Sequence, residues 1–146
     1  MYPYVQFVHS YWAYLVLFML VITTVNSIVS WAGGKEYGAR DMRLALFTLI
    51  VTHIQLLIGL LLYFISPKGF QTINEVGMKA AMADSALRLY VVEHPIGMIL
   101  AVVFVTIGYS KHKKKLTSRP KFKFLSIFYA LALIVVLAMI PWANWF

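Results

Sequence analysis

Four long apolar runs alternate with short polar segments along the chain. Each run is long enough for the helix of about 20 residues that crosses a bilayer. The runs predict helices over about 4–30, 44–66, 85–110 and 124–144, the last within an uncharged stretch that reaches Phe146. Only Arg88 and Glu93 interrupt the third run. The pattern therefore predicts an all-α membrane protein, a single domain over 1–146 whose four transmembrane helices form an up-down-up-down bundle.

The composition agrees with a surface that faces lipid. The chain of 146 residues is 62% hydrophobic and only 12% charged, whereas a water-soluble domain carries about 25% charged residues. The lipid bilayer is thus the first predicted partner. Association into homo-oligomers stays open.

Basic residues divide unevenly between the two sides of this predicted bundle. The segments 31–43 and 111–123 hold ten of the 13 Lys and Arg residues, and the opposite connection holds three. By the positive-inside rule, the ten lie in the cytoplasm and both termini lie outside. We expect a multi-pass protein of a bacterial inner membrane. The net charge of +8 is explained by this topology and gives no reason to predict a nucleic-acid partner.

The outer connection is the longest, and its middle, about 72–84, has the composition of a surface helix over the mouth of the bundle. Asp84 or Ser85 is the predicted N-cap of the third transmembrane helix. The chain has no cysteine, which excludes disulfides, iron–sulfur clusters and thioether-linked heme. Any metal must be bound by His, Met or oxygen ligands.

Histidine is the residue type that carries candidate chemistry. Of the four histidines, His9, His53 and His94 lie inside apolar runs, where an ionisable side chain is costly and marks a functional site. The alternative is that each one only joins helices by a hydrogen bond. His112 lies at the cytoplasmic edge among lysines, where a solvated imidazole is expected.

Helical geometry predicts which histidines meet. With about 100° per residue, His9 shares a face with mostly small residues, and so does His94. The first and third helices are diagonal in such a bundle, so His9 and His94 can face each other across its outer half. His53 lies deeper, about 100° from a stripe of polar and small residues; it could replace either ligand if the helices tilt. The two stripes are Ala13, Val16, Leu20, Thr23 and Ser27 beside His9, and Leu87, Met98, Ala101, Val105, Gly108 and His112 beside His94; the stripe beside His53 is Thr48, Thr52, Gln55, Gly59 and Tyr63.

Two facing imidazoles between small side chains suit a heme b with two histidine ligands. One heme, held by His9 and His94, is the simplest prediction. A variant with two hemes adds His53 and His112 at the inner level. Scattered methionines keep copper open as an alternative metal.

Glu93 and Pro95 flank His94. Glu93 could orient the ligand, pass protons from a quinol, or simply pair with Arg88 at the interface. Pro95 removes a helix hydrogen bond, and we expect a kink that turns His94 into the core.

Several segments resemble a family of short four-helix membrane proteins from Bacteroidetes that are described as cytochrome b-like. They are HSYWAYLVL from His9, THIQLLIGLLLYFISP from Thr52, VEHPIGM from Val92, GYSKHKK from Gly108 and the final IPWANWF. The stretch around His53 is also similar in style to helices of heme A synthase, although the acidic partner of the synthase motif is not beside His53. The resemblance implies heme without fixing a reaction.

Three functions are compatible with these features. The first is a b-type heme protein that transfers electrons, with quinol or a respiratory-complex subunit as partner. The second is a structural or assembly subunit without heme, whose histidines only join helices. The third is a membrane enzyme that modifies heme or quinone.

Overall fold

A computed structural model describes residues 1–145 of the chain, and within these residues it is helical without strands. Four helices are long and apolar enough to cross a membrane: α1 (Tyr2–Gly33), α2 (Ala39–Ile65), α4 (Ser85–Lys113) and α5 (Ser118–Met139). Two shorter helices are α3 (Phe70–Ala83) and α6 (Trp142–Trp145). Phe146, where the fourth predicted run ends, lies outside the described residues. The chain is a multi-pass membrane protein.

The four long helices form the predicted up-down-up-down bundle. Helix α1 packs against α2 and α5, and α4 packs against the same two helices. Helices α1 and α4 are therefore diagonal across the core, as the sequence predicts. Large apolar side chains face outward all around the bundle, among them Phe18, Leu57 and Ile134 with 59%, 67% and 62% of their surface exposed. Such an apolar exterior fits a bilayer and not water.

The predicted boundaries differ from the observed ones at two helices. Helix α2 begins at Ala39 because Asp41 turns back on the helix start, where its Oδ2 accepts a hydrogen bond of 2.9 Å from the Gly38 N–H. Helix α5 begins at Ser118, not near 124, since Pro120 is tolerated in a first turn. It ends at Met139, not near 144, because Ile140 is extended before Pro141.

The outer connection contains the predicted surface helix, α3. It covers one side of the bundle mouth, with Thr72 and Ala81 buried against the helices below. Gly77 bends it, with φ of 82° in the left-handed region that glycine tolerates. Asp84 is the predicted N-cap of α4, and its Oδ1 accepts from the N–H of Ala86 at 2.9 Å.

Candidate functional site

The bundle brings His9 of α1 and His94 of α4 together across its core. The centroids of the two imidazole rings lie 6.2 Å apart, and the ring planes are nearly perpendicular at 84°. The two rings project from helices that lie diagonally across the bundle. They meet in its outer half although the two residues are distant in sequence. The predicted small-residue stripes accompany them, since Ala13, Val16, Met98 and Ala101 line the same cavity.

The end of α5 holds the ring of His94. The Nδ1 of His94 lies 2.9 Å from the carbonyl oxygen of Met139, the last residue of that helix. A carbonyl at a helix C-terminus has no partner within its own helix, so it is free to accept. Because a carbonyl only accepts, Nδ1 carries the hydrogen, and in the neutral ring Nε2 keeps its lone pair.

A π-turn lies directly before His94, in the region where the sequence predicts a kink at Pro95. Leu89–Glu93 forms a π-helical turn, and α4 then continues as a regular helix from His94. Pro95 has no N–H to give to the carbonyl of Val91, four residues earlier. The hydroxyl of Tyr63 on α2 donates to that carbonyl at 2.9 Å instead. The helix thus continues through Pro95, and the carbonyl of Val91 is paired from a neighbouring helix.

The ring of His9 lies against the backbone of α2. A Cβ built on Gly59 would be 3.1 Å from the His9 Cε1 atom, so the absent side chain makes room for the imidazole. Among the described residues, the buried Nδ1 of His9 has no hydrogen-bond partner, and neither has Oε1 of Gln55. The Nε2 of Gln55 donates to the His9 carbonyl at 2.8 Å and ties the two helices together. Buried polar atoms without partners are rare, and these two mark a place for a ligand or water.

A cavity of about 220 Å³ surrounds the two imidazoles. Its outer end is lined by polar side chains and its deep end by aliphatic ones. Thr52, Gln55, Gly59 and Tyr63 of the polar stripe on α2 all line it, as that stripe predicts.

The structure does not bring His53 to this cavity. Its Nδ1 lies 2.7 Å from the Leu49 carbonyl oxygen of its own helix, and its Nε2 lies 3.3 Å from the Thr106 hydroxyl on α4. The reason is rotational, because the preceding Thr52 faces the cavity and each helical residue turns by about 100°. The expectation that His53 could replace either ligand is therefore not met in this arrangement.

His112 is fully buried, contrary to the expected solvated side chain. Its Nδ1 lies 2.6 Å from the Tyr109 carbonyl, and its Nε2 lies 2.8 Å from the Tyr37 hydroxyl. Tyr37 comes from the loop between α1 and α2, which folds over the inner end of the bundle. Burial, with the nearby Asp41 and then Tyr109, raises the pKa of Tyr37 to about 12, so this tyrosine stays a donor at neutral pH. Both ring nitrogens of His53 and of His112 have protein partners, and these two histidines do not form a second pair.

Glu93 has the surface role that the sequence left open. Its Oε1 accepts from Arg88 Nε at 2.9 Å, with both side chains more than a third exposed. The described hydrogen bond of the His94 ring goes to Met139 and not to Glu93. An exposed pair of this kind contributes at most about 1 kcal/mol.

One buried polar group was not predicted. Asp41 at the start of α2 is 2% exposed, and its Oδ1 accepts from Asn26 Nδ2 of α1 at 2.8 Å. Lys35 reaches the same oxygen at 3.5 Å. Asn26 lies within an apolar run and Asp41 in the charged segment before the next one, and nothing in the sequence indicates that they meet. They lock the inner end of the bundle, far from the two imidazoles.

Comparison with known proteins finds no matching family, no matching curated protein and no matching solved structure. The chemistry of the site is therefore the guide to its function. Within the described residues, no cluster of three or more His, Asp or Glu side chains is placed to hold a metal ion. Among the described residues that line the cavity, the candidate ligands are the two imidazoles and the thioether of Met98.

Proposed function

We propose that the chain is a b-type heme protein of a bacterial inner membrane, with one heme held between His9 and His94, and that it transfers electrons between quinol or a respiratory partner and an acceptor. The observation that carries the proposal is the facing pair of imidazoles, 6.2 Å apart. A metal–imidazole bond is about 2 Å long, so two rings on opposite sides of one ion stand about 6 Å apart between centres. The separation of the pair fits that arrangement.

The number of donors favours heme over a bare ion. Zinc and copper sites in proteins take three or four ligands from side chains. Here, within the described residues, only two imidazoles converge. A porphyrin brings four nitrogens of its own and needs from the protein only the two axial ligands.

The surrounding residues have definite tasks in this proposal. The Met139 carbonyl fixes the orientation and tautomer of His94, as a partner of a metal-bound histidine does elsewhere. Gly59 leaves space for the His9 ring. Aliphatic side chains at the deep end, including Leu20, Val105 and Val136, exclude water. Bound heme supplies one-electron redox chemistry, and the chain supplies its position and dry surroundings.

A purified sample tests the proposal directly. We expect a reduced-minus-oxidised absorption spectrum typical of low-spin heme b, with about one heme per chain. His9→Ala and His94→Ala should each remove most of that signal, because a site with one imidazole becomes five-coordinate or empty.

His53→Ala is the matched control, since it removes a histidine from a membrane-spanning helix outside the cavity. It should keep the spectrum. An unaltered spectrum in both cavity variants would contradict the proposal. A chain that purifies folded without heme, and does not take it up, would favour the structural subunit instead. Equal loss on changing His53 and His112 would favour the two-heme variant.

A further inference from the structure

The cavity around the two imidazoles is polarised along its length. Its deep end is aliphatic, whereas the residues at its mouth, which lie at the outer ends of α1, α2 and α4, carry hydroxyl, amide and ammonium groups. Lys68 is the only charged side chain among the described residues that line the cavity. Its neighbours at the mouth include Tyr2, Gln6, Ser66 and Tyr90.

The backbone holds Lys68 in place. Its N–H donates to the Ser66 hydroxyl at 3.1 Å, in the turn that ends α2. The next residue, Gly69, lies so close to the carbonyl of Tyr63 that any Cβ there would collide with backbone atoms. The turn is therefore fixed against the helix end, and the backbone of Lys68 is held at the cavity mouth.

The ammonium of Lys68 has no carboxylate partner among the described side chains. The two ion pairs found among the described residues join Lys35 to Asp41 and Arg88 to Glu93. The Lys68 ammonium instead lies 5.0 Å from the centroid of the Tyr90 ring. The Lys68 side chain is exposed, and a cation at the mouth of an otherwise uncharged cavity attracts an anion.

We propose that Lys68 binds a carboxylate group on the ligand of this cavity. The ligand is then an amphiphile with an apolar body between the imidazoles and an anionic end at the mouth. This assignment rests on the proposed function where it identifies the anion as a propionate of heme. It goes beyond that function by naming the residue that recognises the anionic end and by setting which end of the ligand faces outward.

Paired probes with free and with blocked carboxylates test the assignment. The full chain, prepared without heme in a neutral detergent, is titrated with hemin and with hemin dimethyl ester, in which both carboxylates are blocked. We expect the wild type to bind hemin about tenfold more tightly than the ester, as one charge-assisted contact allows. Lys68→Met should reduce that ratio to near one and leave the affinity for the ester unchanged.

Lys79→Met is the matched control, since it removes a cation from the same outer connection but away from the cavity. It should keep the tenfold ratio, which shows that net charge is not the cause. A Lys68→Met variant that retains the wild-type preference for hemin would overturn the assignment.

The same comparison remains possible if the heme proposal fails. Should the wild type bind neither porphyrin, the fluorescent fatty acid cis-parinaric acid and its methyl ester replace them. A preference for the acid that Lys68→Met removes supports the carboxylate site while heme is rejected. No preference for the acid, or no binding of either probe, overturns the Lys68 assignment as well.

Discussion

A missing side chain at residue 59 determines where the imidazole of His9 can lie. The ring rests on the backbone of α2 at Gly59, where a Cβ would come within 3.1 Å of Cε1. Such a separation is tighter than ordinary van der Waals contact, so either the ring or the helix would have to move. The position of the His9 ring thus depends on the absence of a side chain on the neighbouring helix.

Gly59→Ala should weaken heme binding more than it weakens the fold. The added methyl displaces the His9 ring, and small misplacements at a ligand site are costly. Heme content after purification, or the low-spin absorption, should fall severalfold. Thermal unfolding of the heme-free chain should change little, because alanine also favours the helix by up to about 1 kcal/mol.

Gly33→Ala is the control for this change. Gly33 ends α1 with nothing within 4 Å of a built Cβ and no positive φ, so heme content should match the wild type. If Gly59→Ala binds heme as the wild type does, the close approach of His9 to α2 has no role in the site.

The sequence predicts which residues face the cavity, but it does not predict the hydrogen-bond partners of the histidines. The stripes beside His9 and His94 follow from helical periodicity alone, and all of their residues except Leu87 line the cavity or are buried. The bond from His94 to Met139 could not be predicted, because it depends on where α5 ends. The burial of His112 depends on a tyrosine that returns from a loop 75 residues away in sequence.

At the scale of the helix, α4 passes through a proline without breaking. The π-turn at Leu89–Glu93 precedes Pro95, and the carbonyl that proline cannot serve is satisfied by the Tyr63 hydroxyl. A π-turn adds a residue to one turn and so changes which face later residues occupy. His94 is the first residue after it.

Tyr63→Phe should expose the role of this hydroxyl. Without it, the Val91 carbonyl is buried and unpaired, which costs about 1–3 kcal/mol in the free energy of unfolding. In a Pro95→Ala background the cost should be smaller, since an alanine N–H can serve the same carbonyl. A double-mutant cycle measured by unfolding in detergent gives this coupling.

Tyr4→Phe serves as the control, because the Tyr4 side chain is 79% exposed and its hydroxyl has no described partner. Its unfolding should match that of the wild type. Equal costs of Tyr63→Phe with and without Pro95 would show that the hydroxyl does not compensate for the proline.

The number and order of the helices could be predicted because each apolar run has the length of about 20 residues that a membrane-spanning helix needs. Their packing could be predicted because short connections make consecutive helices neighbours. Helix ends were harder. The start of α5 at Ser118 lies in a basic segment whose charges give no hydropathy signal, and its end depends on one proline. The π-turn leaves no mark on periodicity over so short a stretch.

At the scale of the whole molecule, the two ends of the bundle differ in structure. The outer end holds the cavity, the imidazole pair and Lys68. The inner end is closed by buried bonds among Asn26, Asp41, Tyr37 and His112. In the proposed orientation, the site opens away from the cytoplasm, so its exchange partners would arrive from the outer side or from the outer leaflet.

Orientation can be measured because the chain contains no cysteine, so a single introduced thiol reports one position without background. Glu75→Cys places an exposed thiol on α3, and Lys114→Cys places one after α4 at the basic inner end. Ten basic residues on one side against three on the other predict that residue 114 is cytoplasmic and residue 75 external.

A membrane-impermeant maleimide should therefore label Glu75→Cys in intact cells and Lys114→Cys only after the membrane is permeabilised. Glu36→Cys, in the other inner connection, should behave like Lys114→Cys. The opposite pattern would reverse the orientation and turn the cavity toward the cytoplasm, while the geometry of the imidazole pair would stay the same.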